Sequence, residues 1–78
     1  SGGNNTATAD GDRAVATVQA GDNNQSSALA DDTEAVTGGG DNNVAVANTP
    51  GASASASGND NTATNCQVTG SSQSCSNP

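Results

Sequence analysis

Paired amides recur along this chain at a fixed spacing, and that spacing constrains the fold more than any other feature. Asn4-Asn5, Asn23-Asn24 and Asn42-Asn43 follow one another at intervals of 19 residues, and a degenerate copy, Asp60-Asn61, comes 18 residues later. Cut just ahead of each pair, the chain is a single repeat region of four units, 2–20, 21–39, 40–57 and 58–78, the last divergent and carrying both cysteines. A period of this length marks an array of small structural units, none of which can bury an apolar face alone.

Within each unit the period is two. Asn5, Ala7 and Ala9 alternate with Thr6 and Thr8; Asn24, Ser26 and Ala28 with Gln25 and Ser27; Asn43, Ala45 and Ala47 with Val44 and Val46; Asn61, Ala63 and Asn65 with Thr62 and Thr64. The later halves of the units put Ala14, Ala16 and Val18, then Thr33, Ala35 and Thr37, then Ala52, Ala54 and Ala56 on the same inward face. Alternation bounded by Gly, Asn and Asp predicts strands. Turn residues fall between them at Asp10-Gly11-Asp12, Asp31-Asp32 and Thr49-Pro50-Gly51. Ala favours helix, but Gly, Val, Thr, Ser and Asn interrupt every candidate stretch. The expected fold is all-β: strand–turn–strand rungs stacked at ~4.8 Å into a β-solenoid or amyloid-like cross-β array.

Two columns fix the register of that stack. Asn5, Asn24, Asn43 and Asn61 occupy one inward position in all four units, where stacked amides can hydrogen-bond along their length. Arg13 and Asp32 occupy equivalent positions of adjacent units, which sets the chain's single cation over an acid as an inter-rung ion pair.

The composition accounts for why stacking is needed. Of 78 residues, 14 are Ala, six are Val and one is Leu, and there is no Phe, Tyr, Trp, Met or His. Large side chains that gain ~1.5–3 kcal/mol each on burial are almost absent, while ordering the backbone costs ~1–2 kcal/mol per residue. Low hydrophobicity with a net charge of −7 is also a composition of disordered chains. An interior of Ala instead lets two facing strands approach more closely than the ~10 Å of ordinary packed sheets.

Several function classes are excluded at this level. One basic residue gives no footprint for nucleic acid or for an anionic membrane surface. No window approaches the ~20 apolar residues of a membrane span, and no signal peptide is visible, so the chain reads as a mature form or a fragment. Without His, Lys or Tyr there is no side chain poised for general-base work near neutrality, and no enzymatic role is expected. No cofactor or metal is expected either: the Asp residues lie at turns without a calcium-loop spacing, and two Cys without His make no zinc site. Asn4-Asn5-Thr6 and Asn24-Gln25-Ser26 are formal glycosylation sequons of the kind that arise by accident in such a composition. Cys66 and Cys75 are expected to form an intrachain disulfide in an oxidising compartment, with Gly70 allowing a hairpin-like return between them; free thiols and inter-chain bonds are the alternatives.

The shared opening G-[GDN]-[ND]-N-x-[AS] resembles the G-x-G-N-x-A core of curli-type functional amyloid repeats, strand–turn–strand units of similar length. Asn5-x-Ala7, Asn43-x-Ala45 and Asn61-x-Ala63 match its N-x-A step, and Asn24-x-Ser26 nearly does. The resemblance implies a secreted, homopolymeric fibre of the biofilm-scaffold kind, assembled by end-to-end rung pairing. A weaker similarity, carried by Gly40-Asp41-Asn42-Asn43-Val44 and by Thr6-x-Thr8 and Thr62-x-Thr64, is to grass ice-binding β-rolls. The expected role is therefore a structural subunit of an extracellular fibre or surface appendage. An ice-binding β-roll or a disordered, glycosylated surface linker stand as alternatives.

Overall fold

The computed structural model describes residues 3–77, which form strands and the turns between them, with no helix. Nine strands follow in order: β1 (Thr6–Ala9), β2 (Val15–Val18), β3 (Gln25–Ala28), β4 (Glu34–Thr37), β5 (Val44–Ala47), β6 (Ser53–Asn59), β7 (Thr62–Thr64), β8 (Gln67–Ser71) and β9 (Ser74–Ser76). The odd strands build one wall in the order β1-β3-β5-β7-β9, and the even strands build the other, β2-β4-β6-β8. Every neighbouring pair is parallel. The chain is thus a β-solenoid in which each turn adds one strand to each wall, and its principal extents of 28 × 23 × 11 Å describe a flat slab.

The register follows the sequence repeat. Thr6 pairs with Gln25, Gln25 with Val44 and Val44 with Thr62; Ala16 pairs with Ala35, and Ala35 with Ala54. Because the side-chain period of a strand is two, this in-register stacking sends whole columns of Ala inward. Ala28, Ala35, Ala45, Ala47, Ala54, Ala56 and Ala63 are buried, together with Ser26, Thr33 and Thr37. Side chains this short hold the walls very close. Ser26 Oγ donates across the interior to the carbonyl of Thr17 at 2.7 Å and lies 3.3 Å from Thr37 Oγ1. No space is left for a larger residue, and the one Leu, Leu29, sits outside at 45% exposure. Among the described residues every buried side-chain nitrogen and oxygen has a hydrogen-bond partner, as a polar interior of this kind requires.

Three local expectations are corrected. Asn65 does not belong to the inward face: its backbone is left-handed (φ 57°), which breaks the alternation immediately after β7. Its amide instead donates to Asn77 O and to Asn48 Oδ1, each at 2.9 Å. The unit beginning at 58 also holds more than one turn. Gly70-Ser71 pairs with Gly58-Asn59, and Ser74-Cys75-Ser76 pairs with Thr62-Ala63-Thr64, an offset of 12 residues where the earlier turns use 18 or 19. The offset shrinks because β7 passes to β8 through Asn65 and Cys66 alone. Finally, the segment between the cysteines is no hairpin. It runs up one wall as β8 and crosses to the other as β9, parallel to its neighbours in both.

Candidate assembly site

The inward Asn column joins the rungs at the corner where the second wall ends and the first begins. Each side-chain oxygen accepts from the backbone N–H one rung on: Asn24 N to Asn5 Oδ1 at 3.0 Å, Asn43 N to Asn24 Oδ1 at 2.9 Å and Asn61 N to Asn43 Oδ1 at 3.1 Å. Gln73 N continues the series to Asn61 Oδ1 at 2.8 Å. Each amide nitrogen donates to corner carbonyls, as Asn24 does to Ala20 O and Gly40 O at 2.8 and 2.9 Å. The amides therefore bond to backbone, not to one another. They satisfy peptide groups that a tight corner would leave unpaired in the interior, at a cost of ~1–3 kcal/mol for each orphan. Asn24, Asn43 and Asn61 are fully buried.

The first member of each amide pair has a different task. Asn4, Asn23, Asn42 and Asp60 have φ between 60° and 63°, a left-handed conformation in which Asn and Asp are the least penalised side-chain-bearing residues. One residue turns the chain and the next fills the corner. That division of labour explains why the repeat carries two amides.

Outside the corner, a second ladder runs in the opposite sense. Gly3 N donates to Asp22 Oδ1 at 2.8 Å, Asp22 N to Asp41 Oδ1 at 2.9 Å and Asp41 N to Asn59 Oδ1 at 3.0 Å. Acids thus act as turn acceptors linking rungs. At the opposite corner Arg13 and Asp32 meet in a two-pronged pair, Nε to Oδ1 at 2.5 Å and Nη2 to Oδ2 at 2.9 Å. Asp32 raises the Arg13 pKa above its ordinary value, so the guanidinium stays charged. With 75% and 51% of the two side chains exposed, water screens the pair, and its role is to mark register more than to stabilise.

Cys66 and Cys75 are disulfide-bonded with Cα atoms 6.2 Å apart. Cys75 pairs with Ala63, and Cys66, one residue before the Ser55–Gln67 pair, takes the place of Ala54 in the next turn. The bond therefore replaces two facing Ala methyls and ties the walls together across the interior. A closed loop of this size is worth ~2.5–3 kcal/mol in the chain-entropy model. Replacing both cysteines by Ala, the residue their columns already use, is expected to remove about that much stability. In amide exchange the loss should appear first in β8 and β9, with β3 to β6 keeping their protection; uniform loss along the chain would contradict a local role for the bond.

The edge of the stack is the remaining feature with chemical consequence. Thr6 N donates to Asn24 O and Asp10 N to Ala28 O, both at 2.9 Å. In a parallel ladder alternate residues bond to opposite sides, so the peptide groups of Ala7 and Ala9 point away from β3. Among the described residues no strand lies beyond β1 or β2. Ala7 and Ala9 are exposed, although Ala45 and Ala47 of the same columns are completely buried. The sequence marks these alanines as inward and gives no sign that they lack a covering rung. The half-turn at 70–77 left a trace in Gly70-Ser71-Ser72-Gln73, but at a spacing of 12 a search at 19 does not find it. No family model, curated protein or solved structure matches this chain.

Proposed function

We propose that the chain is a structural, non-catalytic subunit of an extracellular fibre or surface appendage, and that its partner is another copy of itself. Copies join by end-to-end pairing of rungs, as in functional amyloid, with no cofactor involved. The observation that carries this reading is the uncovered first rung, in which Ala7 and Ala9 offer the same inward methyls and free peptide groups that every inner rung has already buried. An unpaired, uncharged edge of this kind is a template for another strand. The repeat adds register, since a rung docking there meets the columns it would meet inside the stack. The disulfide fits an oxidising compartment, and among the described residues no helix is long and apolar enough to cross a membrane.

Ice binding is less well supported. The outward ranks of the first wall read Thr6/Thr8, Gln25/Ser27, Val44/Val46, Thr62/Thr64 and Ser74/Ser76, so the hydroxyl array is interrupted at its centre. A glycosylated linker would find one of its two sequons closed, because Asn24 is fully buried.

Ala7→Pro tests the reading. Pro at this position removes an N–H that faces the open edge and leaves the β1–β3 bonds intact, the arrangement in which sheets tolerate Pro. Electron microscopy of the concentrated wild-type protein is expected to show filaments. The A7P protein, folded by circular dichroism, should stay monomeric. Wild-type protein that remains monomeric, or an A7P protein that elongates equally well, would overturn the proposal.

A further inference from the structure

The outer face of the wall formed by β1, β3, β5, β7 and β9 differs from the rest of the surface. Its outward residues are the five ranks named above, and none carries a charge. The acids lie elsewhere: Asp10, Asp12, Asp22, Asp31, Asp32, Asp41 and Asp60 are outside the strands, and Glu34 projects from β4 in the middle of the other wall. Val44 and Val46, each half-buried, form the central rank. The layout is an apolar centre with a rim of hydroxyls and amides, the general plan of a protein interface.

We infer that this face pairs laterally with the same face of a second stack of this chain, so that the fibre contains two filaments back to back; the inference rests on the end-to-end reading above. Charge selects a second copy as the occupant. A chain of net charge −7 repels its own copies, and only this face lets two of them meet without placing acid against acid. On the opposite wall, a two-fold contact would bring the Glu34 carboxylates together. Area then sets the order of events. Five strands at ~4.8 Å and four residues at ~3.3 Å give a face of about 300 Å². A stable interface needs roughly 800 Å² per partner. Single copies therefore do not pair through this face. Filaments of several subunits do, because each contact made raises the effective concentration for the next.

The test uses filament width in electron micrographs of three proteins: wild type, Val44→Asp/Val46→Asp and Val44→Lys/Val46→Lys. Wild-type filaments are expected to be twice as thick as those of the Asp variant, which should elongate but remain single. An equimolar mixture of preformed Asp and Lys filaments should regain the double width, which separates loss of pairing from damage to the strand. Single wild-type filaments, or Asp filaments as thick as wild type, would overturn the lateral inference alone. Absence of wild-type filaments would remove it together with end-to-end assembly.

Discussion

Asn43→Asp is expected to abolish the folded stack at neutral pH, whereas Asn48→Asp should leave it nearly unchanged. Asn43 is fully buried, and its amide nitrogen donates to Gly58 O at 2.6 Å. A carboxylate there would face a carbonyl oxygen with no cation near it, and an uncompensated buried charge costs ~3–5 kcal/mol. Asn48 is exposed, and its Oδ1 only accepts, from Asn65 at 2.9 Å, a role that Asp also fills. The pH dependence follows from linkage. Burial raises the new carboxyl's pKa in the folded state above its unfolded value of ~3.9. Below that value both states are protonated and the charge penalty vanishes; as pH rises through it, the unfolded state ionises first and folding is progressively disfavoured. The N43D protein should therefore regain most of its stability near pH ~4 and below. Equal melting of N43D and N48D at pH 7 would show that the amide column does not hold the corners.

Gly40→Ala should be about as damaging for a purely steric reason, with a graded set of controls beside it. Gly40 has φ +104°, and a Cβ there would sit 1.8 Å from the backbone oxygen of Gly58 in the next rung. Neither rung can move aside without breaking its wall's hydrogen bonds, so the loss should reach the exceptional range of ~4 kcal/mol or more. Gly51 has φ +81° but open space around it, which leaves only the left-handed penalty of ~1–2 kcal/mol. Gly39 has open space and no positive φ, and Ala there should be neutral or stabilising by ~0.4–1 kcal/mol through the unfolded chain. Chemical denaturation of the three variants should give the order Gly40, Gly51, Gly39. A Gly40 variant as stable as the Gly39 one would mean that the rungs are not stacked this closely.

Most of the architecture was legible because two periods coincide in this sequence. The two-residue alternation identifies strands, the 19-residue recurrence identifies stacking, and together they place Ala28, Ala35, Ala45, Ala47, Ala54, Ala56 and Ala63 in the interior where they lie. Periodicity says nothing where a local backbone choice intervenes. Asn65 follows the pattern by parity yet leaves the interior because its own φ is positive. The shortened passage at Asn65-Cys66 shifts the period and hides the half-turn beyond it. The corner chemistry was only partly visible. A column of Asn could be read, but the preference of each amide for backbone over its neighbouring amide depends on where the corner carbonyls point, which no residue pattern encodes. The uncharged outer wall appears only once the strands are sorted between the two sheets, since in sequence its residues are interleaved with acids.

End-to-end assembly is the central claim, and amide exchange at the open edge tests it most directly. The N–H groups of Ala7 and Ala9, and of Ala16 between the bonded positions of β2, point away from the next rung. In dilute protein they are expected to exchange fast, while Ala45 and Ala47 inside the stack are protected. On concentration to the point where filaments form, the account predicts that Ala7, Ala9 and Ala16 become as protected as the inner alanines, because another copy's rung now pairs with them. Filaments in which these three amides still exchange freely, or protection that does not change with concentration, would contradict it.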